Sequence, residues 1–484
     1  MQHHGALSAT DIGIHRGADA VLDGVSLTVA PGDRIGVVGP NGRGKTTLLR
    51  VLAGLEEPDR GTVTGALRVG YLPQERPVDE TIAAFLERRT GEPLDWRAGT
   101  ALADAGIDVP LDRRIGDLSG GQAARVGLAS IVLARFDVYL LDEPTNDLDF
   151  EGLDRLERFV RSLDAGVVVV SHDRAFLDCT VTRIVELEAG TQHVNEYAGG
   201  WSEYEAARER ARLGHERRYR EWREKRQHFS VLHAERREQA RVAGRQADRR
   251  GTHALMSKTR AAAKRIERLD ADRVEKPWQP WELQLDLASA GRSGDVVVEL
   301  RHAVVERDGF RLGPLDLDVA WGDRLSIAGP NGSGKSTLLA ALLGRLPLAA
   351  GERLAGPSVV FGEIGQARSL FPPTARLVDS FREVTGLPEG EARTLLAKFD
   401  LYAEHVTRAA GTLSPGERTR AELAAQAALG ANCLVLDEPT NHLDLPAIEE
   451  LERALAVYDG TLLLVSHDRR FLESVGVTGE FALT

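Results

Sequence analysis

Cysteine and long apolar runs are what this chain most lacks. Its 484 residues hold two cysteines, Cys179 and Cys433, which suits a reducing compartment, leaves no disulfide framework and offers no metal-ligand spacing. Both read as small buried hydrophobes. No window approaches the ~18 consecutive apolar residues of a membrane helix. The longest apolar stretches, such as Val167 to Val170, have the length of buried strands. The opening MQHHGALSATDIG lacks the basic-then-apolar order of a secretory signal. A cytoplasmic protein without a membrane anchor is expected.

What the chain does have is a repeat. GPNGRGKT at Gly39 to Thr46 returns as GPNGSGKS at Gly329 to Ser336, and LSGGQ at Leu118 to Gln122 returns as LSPGE at Leu413 to Glu417. LLDEPTNDLD ending at Asp149 returns as VLDEPTNHLD ending at Asp444, and VVSHD ending at Asp173 as LVSHD ending at Asp468. The offset is 290 residues for Lys45 to Lys335, 292 for Gln74 to Gln366, and 295 for Ser119, Glu143 and His172 to Ser414, Glu438 and His467. So constant an offset describes a duplicated domain.

Each half reads as strand, glycine-rich loop, helix. Glycines at 39, 42 and 44, and at 329, 332 and 334, let backbone N–H groups close on phosphates, together with Asn41 and Asn331. Lys45 and Lys335 would bind β/γ-phosphate oxygens, with Thr47 and Thr337 beside them, and the hydroxyls of Thr46 and Ser336 would ligate Mg²⁺. Asp142 and Asp437, ending apolar strands, would complete the metal shell, and Glu143 and Glu438 would orient an attacking water. A helix cap is the plainer use of these acids, but a proline follows each in an identical TN-x-LD run. His172 and His467, after a further apolar strand, are placed to sense the γ-phosphate; a lone histidine would carry little weight, and this one recurs in register. Intervals of 45 and 48 residues between glutamine and signature predict a helical subdomain in each half.

The formal charge of −12 hides an asymmetry. Trp201 to Lys276 carries 22 Lys and Arg against 13 Asp and Glu, a surplus of 9 that leaves −21 on the rest. This middle segment is almost free of Gly and Pro as far as Ala240 and rich in helix formers, so a long helix of roughly 40 residues and about 60 Å is expected. VAGRQADRRGTH at Val242 to His253 reads as a loop, after which helical composition resumes until Pro277 and Pro280. The result is a helical hairpin with its loop somewhere in Gln239 to Met256; a solvated charged coil is the alternative.

With LSGGQ as its most specific signature, the chain resembles the ATP-binding cassette family over nearly its whole length. The resemblance implies an α/β fold of two P-loop cassettes, each a mixed sheet core plus helical subdomain, over 1–198 and 291–484, joined by a basic helical hairpin over 199–290. It implies a Mg²⁺-dependent ATPase, with ATP shared between one phosphate loop and the other signature. Ser119, Gly120 and Gly121 would face the second loop, Ser414 and Gly416 the first, and Gln74 and Gln366 would couple the γ-phosphate to the helical subdomains. Two departures stand out. Pro415 and Glu417 replace Gly and Gln, which leaves equal hydrolysis at both sites open, and Arg16 and Arg307 stand where the family usually places an aromatic residue against adenine.

Two cassettes with no membrane span resemble the F subfamily, whose members act on ribosomes. GGWSEY, SKTRAAAKRIERL and TNHLD carry that likeness. It implies that the linker enters the tRNA exit site toward the peptidyl-transferase centre, with Arg217, Arg218, Arg220, Arg249, Arg250, Lys258, Arg260, Lys264 and Arg265 on large-subunit rRNA or P-site tRNA phosphates. Trp201, Trp222 and Phe229 could stack on bases, though packing within the hairpin is their commoner use. A long linker with no room for an extra arm in the first cassette is similar to the antibiotic-resistance members, nearest the macrolide type. The expectation is a monomer with intramolecular cassette pairing that displaces a ribosome-bound drug. A general factor for stalled ribosomes and the soluble ATPase of a transporter are the other readings.

Overall fold

The computed structural model describes residues 5–483 apart from 18, 66, 75–77, 92, 95–98, 101, 104–105, 108, 188–193, 246–248, 275–293, 308, 366–369 and 442. Within them the chain forms two compact units, Met1–Trp201 with Leu283–Thr484, and Ser202–Glu282.

The first unit holds both repeats. In the first, β1 (Leu7–Arg16), β2 (Asp19–Val29), β3 (Arg34–Val38), β4 (Arg60–Thr64), β5 (Val69–Leu72), β6 (Val138–Asp142), β7 (Gly166–Val170), β8 (Arg183–Leu187) and β9 (Val194–Ala198) make two sheets. An antiparallel sheet runs β2-β1-β4, and a six-stranded one runs β5-β6-β7-β3-β8-β9, parallel except for β8 with β9. The second repeat has β10 (Val296–Arg307), β11 (Phe310–Ala320), β12 (Arg324–Ala328), β13 (Ala350–Ala355), β14 (Phe361–Ile364), β15 (Cys433–Asp437), β16 (Thr461–Val465) and β17 (Gly479–Ala482). Its sheets run β11-β10-β13 and β14-β15-β16-β12-β17.

Sequence explains the layering. β6, β7 and β16 are buried at every residue, as continuous apolar runs must be when helices cover both faces of a parallel sheet. Their carboxyl ends deliver Asp142 and the residues after Val170 and Val465 to one edge, where ligands bind in such sheets. Helices Ile82–Thr90 and Gly120–Leu133 enclose a separate core of Ile82, Phe85, Leu86, Ile115, Val126 and Ala129. The matching subdomain holds Leu377–Thr385, Glu389–Lys398 and Pro415–Ala428. Cys433 is buried, which pushes its thiol up to about 12, whereas Cys179 is exposed and not the buried hydrophobe expected.

The second unit is an antiparallel helix pair. Trp201–Arg245 runs for 45 residues and Arg249–Ala271 for 23. Trp222 Nε1 donates to the Leu269 carbonyl at 2.7 Å, Arg226 pairs with Asp270 at 2.7 Å, Arg265 lies over the Phe229 ring at 5.2 Å, and Arg236 donates to the Lys258 carbonyl at 3.3 Å. Trp222 and Phe229 therefore pack inside the hairpin. The stretch read as loop, Val242 to His253, is helical to Arg245 and again from Arg249, and 246–248 lie outside the described residues.

Candidate active site

Glycine builds the turn from strand to helix in both repeats. Gly44 and Gly334 precede the helices Lys45–Leu52 and Lys335–Leu342 with φ of 81° and 97°, in the left-handed region. A Cβ on Gly39 would stand 2.6 Å from the Leu187 carbonyl oxygen. The result is a helix N-terminus whose N–H groups can take an anion. Lys45 Nζ donates to the carbonyls of Gly39 (2.7 Å) and Pro40 (3.1 Å), and Lys335 Nζ to those of Gly329 (2.8 Å) and Pro330 (3.1 Å). Burial lowers both lysine pKa values, against the opposing pull of Glu143 and Glu438.

The acids sit above these loops. Asp142 accepts from Tyr71 Oη at 3.1 Å through Oδ2, while its buried Oδ1 has no partner; burial raises its pKa against a hydrogen bond from Thr46. Ser336 Oγ donates to Asp437 Oδ2 at 2.8 Å. A hydroxyl beside a carboxylate with a spare oxygen is a hard donor set that fits Mg²⁺. Glu143 and Glu438 each adopt φ 47°, a conformation costing about 1–3 kcal/mol that concentrates at functional sites. Their N–H groups are held by the carbonyls of Val170 (2.9 Å) and Val465 (2.8 Å), so the sheet fixes the strain. His172 N–H donates to Glu143 Oε2 at 3.3 Å, and His172 Nε2 and His467 Nε2 lie 3.3 and 3.4 Å from Glu143 Oε1 and Glu438 Oε1. Burial pushes Glu143 up, Glu438 up to about 8, His172 down to about 3 and His467 down to about 4. Each of these shifts favours the uncharged form of its group.

The two repeats meet over these loops. A Cβ on Gly121 would come 2.4 Å from Asn331 Nδ2, so the first signature abuts the second phosphate loop. Asn331 N donates to Asp149 Oδ2 (3.0 Å), its Nδ2 to the Asp147 carbonyl (2.7 Å), and Asn41 N to Asp444 Oδ2 (3.1 Å). A cavity of about 650 Å³ is lined by Ser119, Gly120 and Gly121 on one side and Lys335, Ser336, Thr337, Asp437, Glu438 and His467 on the other. A second, of about 360 Å³, is lined by Asn41, Gly42, Gly44, Lys45, Thr46, Thr47, Gln74, Asp142, Glu143 and His172. Ser414 and Gly416 are not among the described residues lining it. Gln366 lies outside the described residues.

The family described as ABC transporter matches residues 22–146 and 312–441. The tylosin resistance ATP-binding protein TlrC of Streptomyces fradiae is 35% identical over 93% of this chain and 92% of its own length. The chain is also 31% identical to ABC transporter F family member 5 of Arabidopsis thaliana, over 94% of this chain and 72% of that protein. This chain belongs to the ATP-binding cassette family, F subfamily. It is an ATPase. The energy-dependent translational throttle protein EttA of Mycobacterium tuberculosis is 32% identical over 94% of this chain and 88% of its own. Among solved structures, the archaeal ribosome recycling factor aABCE1, in complex with the stalk protein aP1, superposes with a TM-score of 0.64 at 20% identity, covering 98% of this chain and 87% of that one; this shows the fold.

Against that family pattern the altered second signature is locally sound. Ser119 accepts from Gln122 N–H at 3.3 Å and Gln122 Oε1 accepts from Ser119 N–H at 3.1 Å, a reciprocal cap of the helix Gly120–Leu133. Ser414 and Glu417 make the same cap at 3.2 and 2.7 Å, and Pro415 takes the first helical position, where proline is favoured. The expected arginine at the base position is corrected in the first cassette: Arg16 does not line the Lys45 cavity and is held by Glu56. Arg307 does line the larger cavity, together with an aromatic residue that motif reading missed, Phe310. Its signal was there, an aromatic three residues beyond Arg307 at the start of the next strand.

Proposed function

We propose that this ATPase binds the ribosome when its cassettes are closed on ATP, and inserts the linker 199–290 toward the peptidyl-transferase centre to displace a large-subunit antibiotic of the macrolide type. The observation that carries the reading is the basic antiparallel helix pair between two nucleotide cassettes, with Arg217, Arg218, Arg220, Lys258, Arg260, Lys264 and Arg265 exposed along it. The relation to a tylosin resistance protein supports drug displacement. Among the described residues no helix is long and apolar enough to cross a membrane.

In this reading the cassettes are 1–198 and 291–484, the protein works as a cytoplasmic monomer with intramolecular cassette pairing, and each ATP is shared between one phosphate loop and the other signature, so that loss of its γ-phosphate releases the closed arrangement. Mg²⁺, bound through Thr46 with Asp142 and Ser336 with Asp437, would supply charge compensation at the β/γ-phosphates. Glu143 and Glu438 orient the attacking water, His172 and His467 sense the γ-phosphate, and Lys45 and Lys335 bind the β/γ-phosphate oxygens. Gln74 and Gln366 relay phosphate loss to the helical subdomains, and Ser119, Gly120 and Gly121 face the second loop across the cavity they line.

The Glu143→Gln, Glu438→Gln double variant should co-sediment with ribosomes in ATP and leave them as salt rises. If it stays in the supernatant at low salt, the ribosomal reading fails. A general role on stalled ribosomes is favoured by the relation to a translational throttle protein. Unchanged inhibitory concentrations across large-subunit antibiotics on expression would select that second reading.

A further inference from the structure

The seam is closer over the Lys335 loop than over the Lys45 loop. A Cβ on Gly121 would meet Asn331 of the opposite phosphate loop, whereas one on Gly416 would meet Ala447 of its own cassette. An arginine six residues beyond each signature serine differs in the same sense. Arg125, on the helix Gly120–Leu133, pairs through Nη2 with Asp149 Oδ2, the oxygen that also takes the Asn331 N–H, and its Nη1 donates to the Gly106 carbonyl at 3.3 Å. Arg420, its match on the helix Pro415–Ala428, is held instead by Glu450 Oε2 at 3.1 Å and Asp400 Oδ2 at 3.5 Å. Asp444 keeps the Asn41 N–H at 3.1 Å and the cap on Ala447 at 3.3 Å, with no arginine among the described residues. The repeat explains the difference: Glu450 corresponds to Arg155 at an offset of 295, and Asp400 to Gly106 at 294. Arg155 also stands at Gly106, where an added Cβ would come 2.8 Å from its Nη1. Arg125 thus meets a glycine and a second cation where Arg420 meets two acids, and it turns to Asp149.

Asp149 is buried, and Asp444 is half-buried. Donors from three elements converge on Asp149: Gly152 N–H of its own helix at 3.0 Å, Asn331 N–H of the opposite phosphate loop at 3.0 Å, and the Arg125 guanidinium of the signature helix. Charge-assisted bonds of this kind are the strong ones, and truncating one side of a buried charge pair at an interface acts chiefly on how fast the interface parts. We infer, resting on the proposed sharing of ATP between cassettes, that Arg125 is a positioning residue for the Lys335 site. It ties the first signature helix to the carboxylate that holds the second phosphate loop, so this site parts only as one body and opens last. At the Lys45 site Glu450 and Asp400 keep Arg420 from that role, and the site opens first.

Release of labelled ATP from the full-length Glu143→Gln, Glu438→Gln chain, chased with unlabelled ATP in Mg²⁺, tests this. Two phases are expected, the slow one removed by Lys335→Ala and the fast one by Lys45→Ala. Arg125→Ala should quicken the slow phase about tenfold or more and leave the fast phase within about twofold. Arg155→Glu keeps Arg125 in place and puts an acid where the second cassette has Glu450, so it should quicken the slow phase in the same way. Arg125→Lys keeps the charge and should restore most of the slow phase. A slow phase changed by less than about twofold in both Arg125→Ala and Arg155→Glu would overturn the inference. Both phases quickened alike, or a single phase in the parent chain, would overturn it too. Release untouched by either lysine substitution would sink the nucleotide-site reading itself, and the inference with it.

Discussion

Glu143 and Glu438 share φ 47°, a histidine at 3.3–3.4 Å and an upward pKa shift from burial, so the two centres are chemically alike. Replacing both glutamates with glutamine should lower ATP turnover by about 10²–10⁴-fold, the ordinary contribution of a positioned base, and leave ATP affinity unchanged; phosphate release and ATP dialysis measure the two. A second residue reports on the seam between cassettes. Asp468 is pushed up to about 6 by burial first and by Asp173 next, against Arg174 and the backbone N–H groups of Phe471 and Arg470. A raised folded pKa means that folding takes up a proton, so the stability linked to Asp468 is full below its ordinary 3.8 and is lost as pH rises through about 6. Asp468→Asn keeps the helix cap on Phe471. It should raise Tm above about pH 7, by about 2–4 °C per kcal/mol recovered, and leave Tm unchanged near pH 4. Phosphate loops, acids and histidines were legible because each is a local motif repeated in register. Phe310 was passed over although its aromatic stands three residues beyond Arg307, because only strand pairing shows that it reaches a loop more than twenty residues later in the chain.

Among the elements, the hairpin was expected with its loop somewhere in Gln239 to Met256, a wider stretch than the residues that separate its two helices. Gly244 and Gly251 suggested a loop, yet helix reaches Arg245 and restarts at Arg249. A glycine costs a helix about 1 kcal/mol, less than the packing of two long helices returns through Trp222, Phe229 and their partners. Trp222→Phe removes the bond to the Leu269 carbonyl and should cost about 0.5–1.5 kcal/mol, seen as faster amide exchange confined to the helix pair. The seam carries a second contrast. Arg174 and Glu452 form a buried bidentate pair between cassettes, with Nη1 to Oε2 at 3.1 Å, whereas Arg469 reaches Asp154 and Glu157 from a position 40% exposed. Glu452→Ala strands a buried guanidinium and should destabilise the chain by about 3–5 kcal/mol; Arg469→Ala should cost about 0–1 kcal/mol. Denaturant midpoints of the two variants check the difference.

At the scale of the whole molecule, two ATP-closed cassettes and a positively charged helix pair are proposed to work as one device on an RNA surface. The tandem fold was legible from the constant offset, and the linker from its charge surplus and its scarcity of helix breakers. Chemical footprinting of large-subunit rRNA with the Glu143→Gln, Glu438→Gln variant in ATP tests the central claim most directly. Protection is expected around the peptidyl-transferase centre, and it should vanish when residues 239–256 are removed from a chain whose ATP binding is retained. Protection elsewhere, or protection unchanged by that removal, would contradict the account.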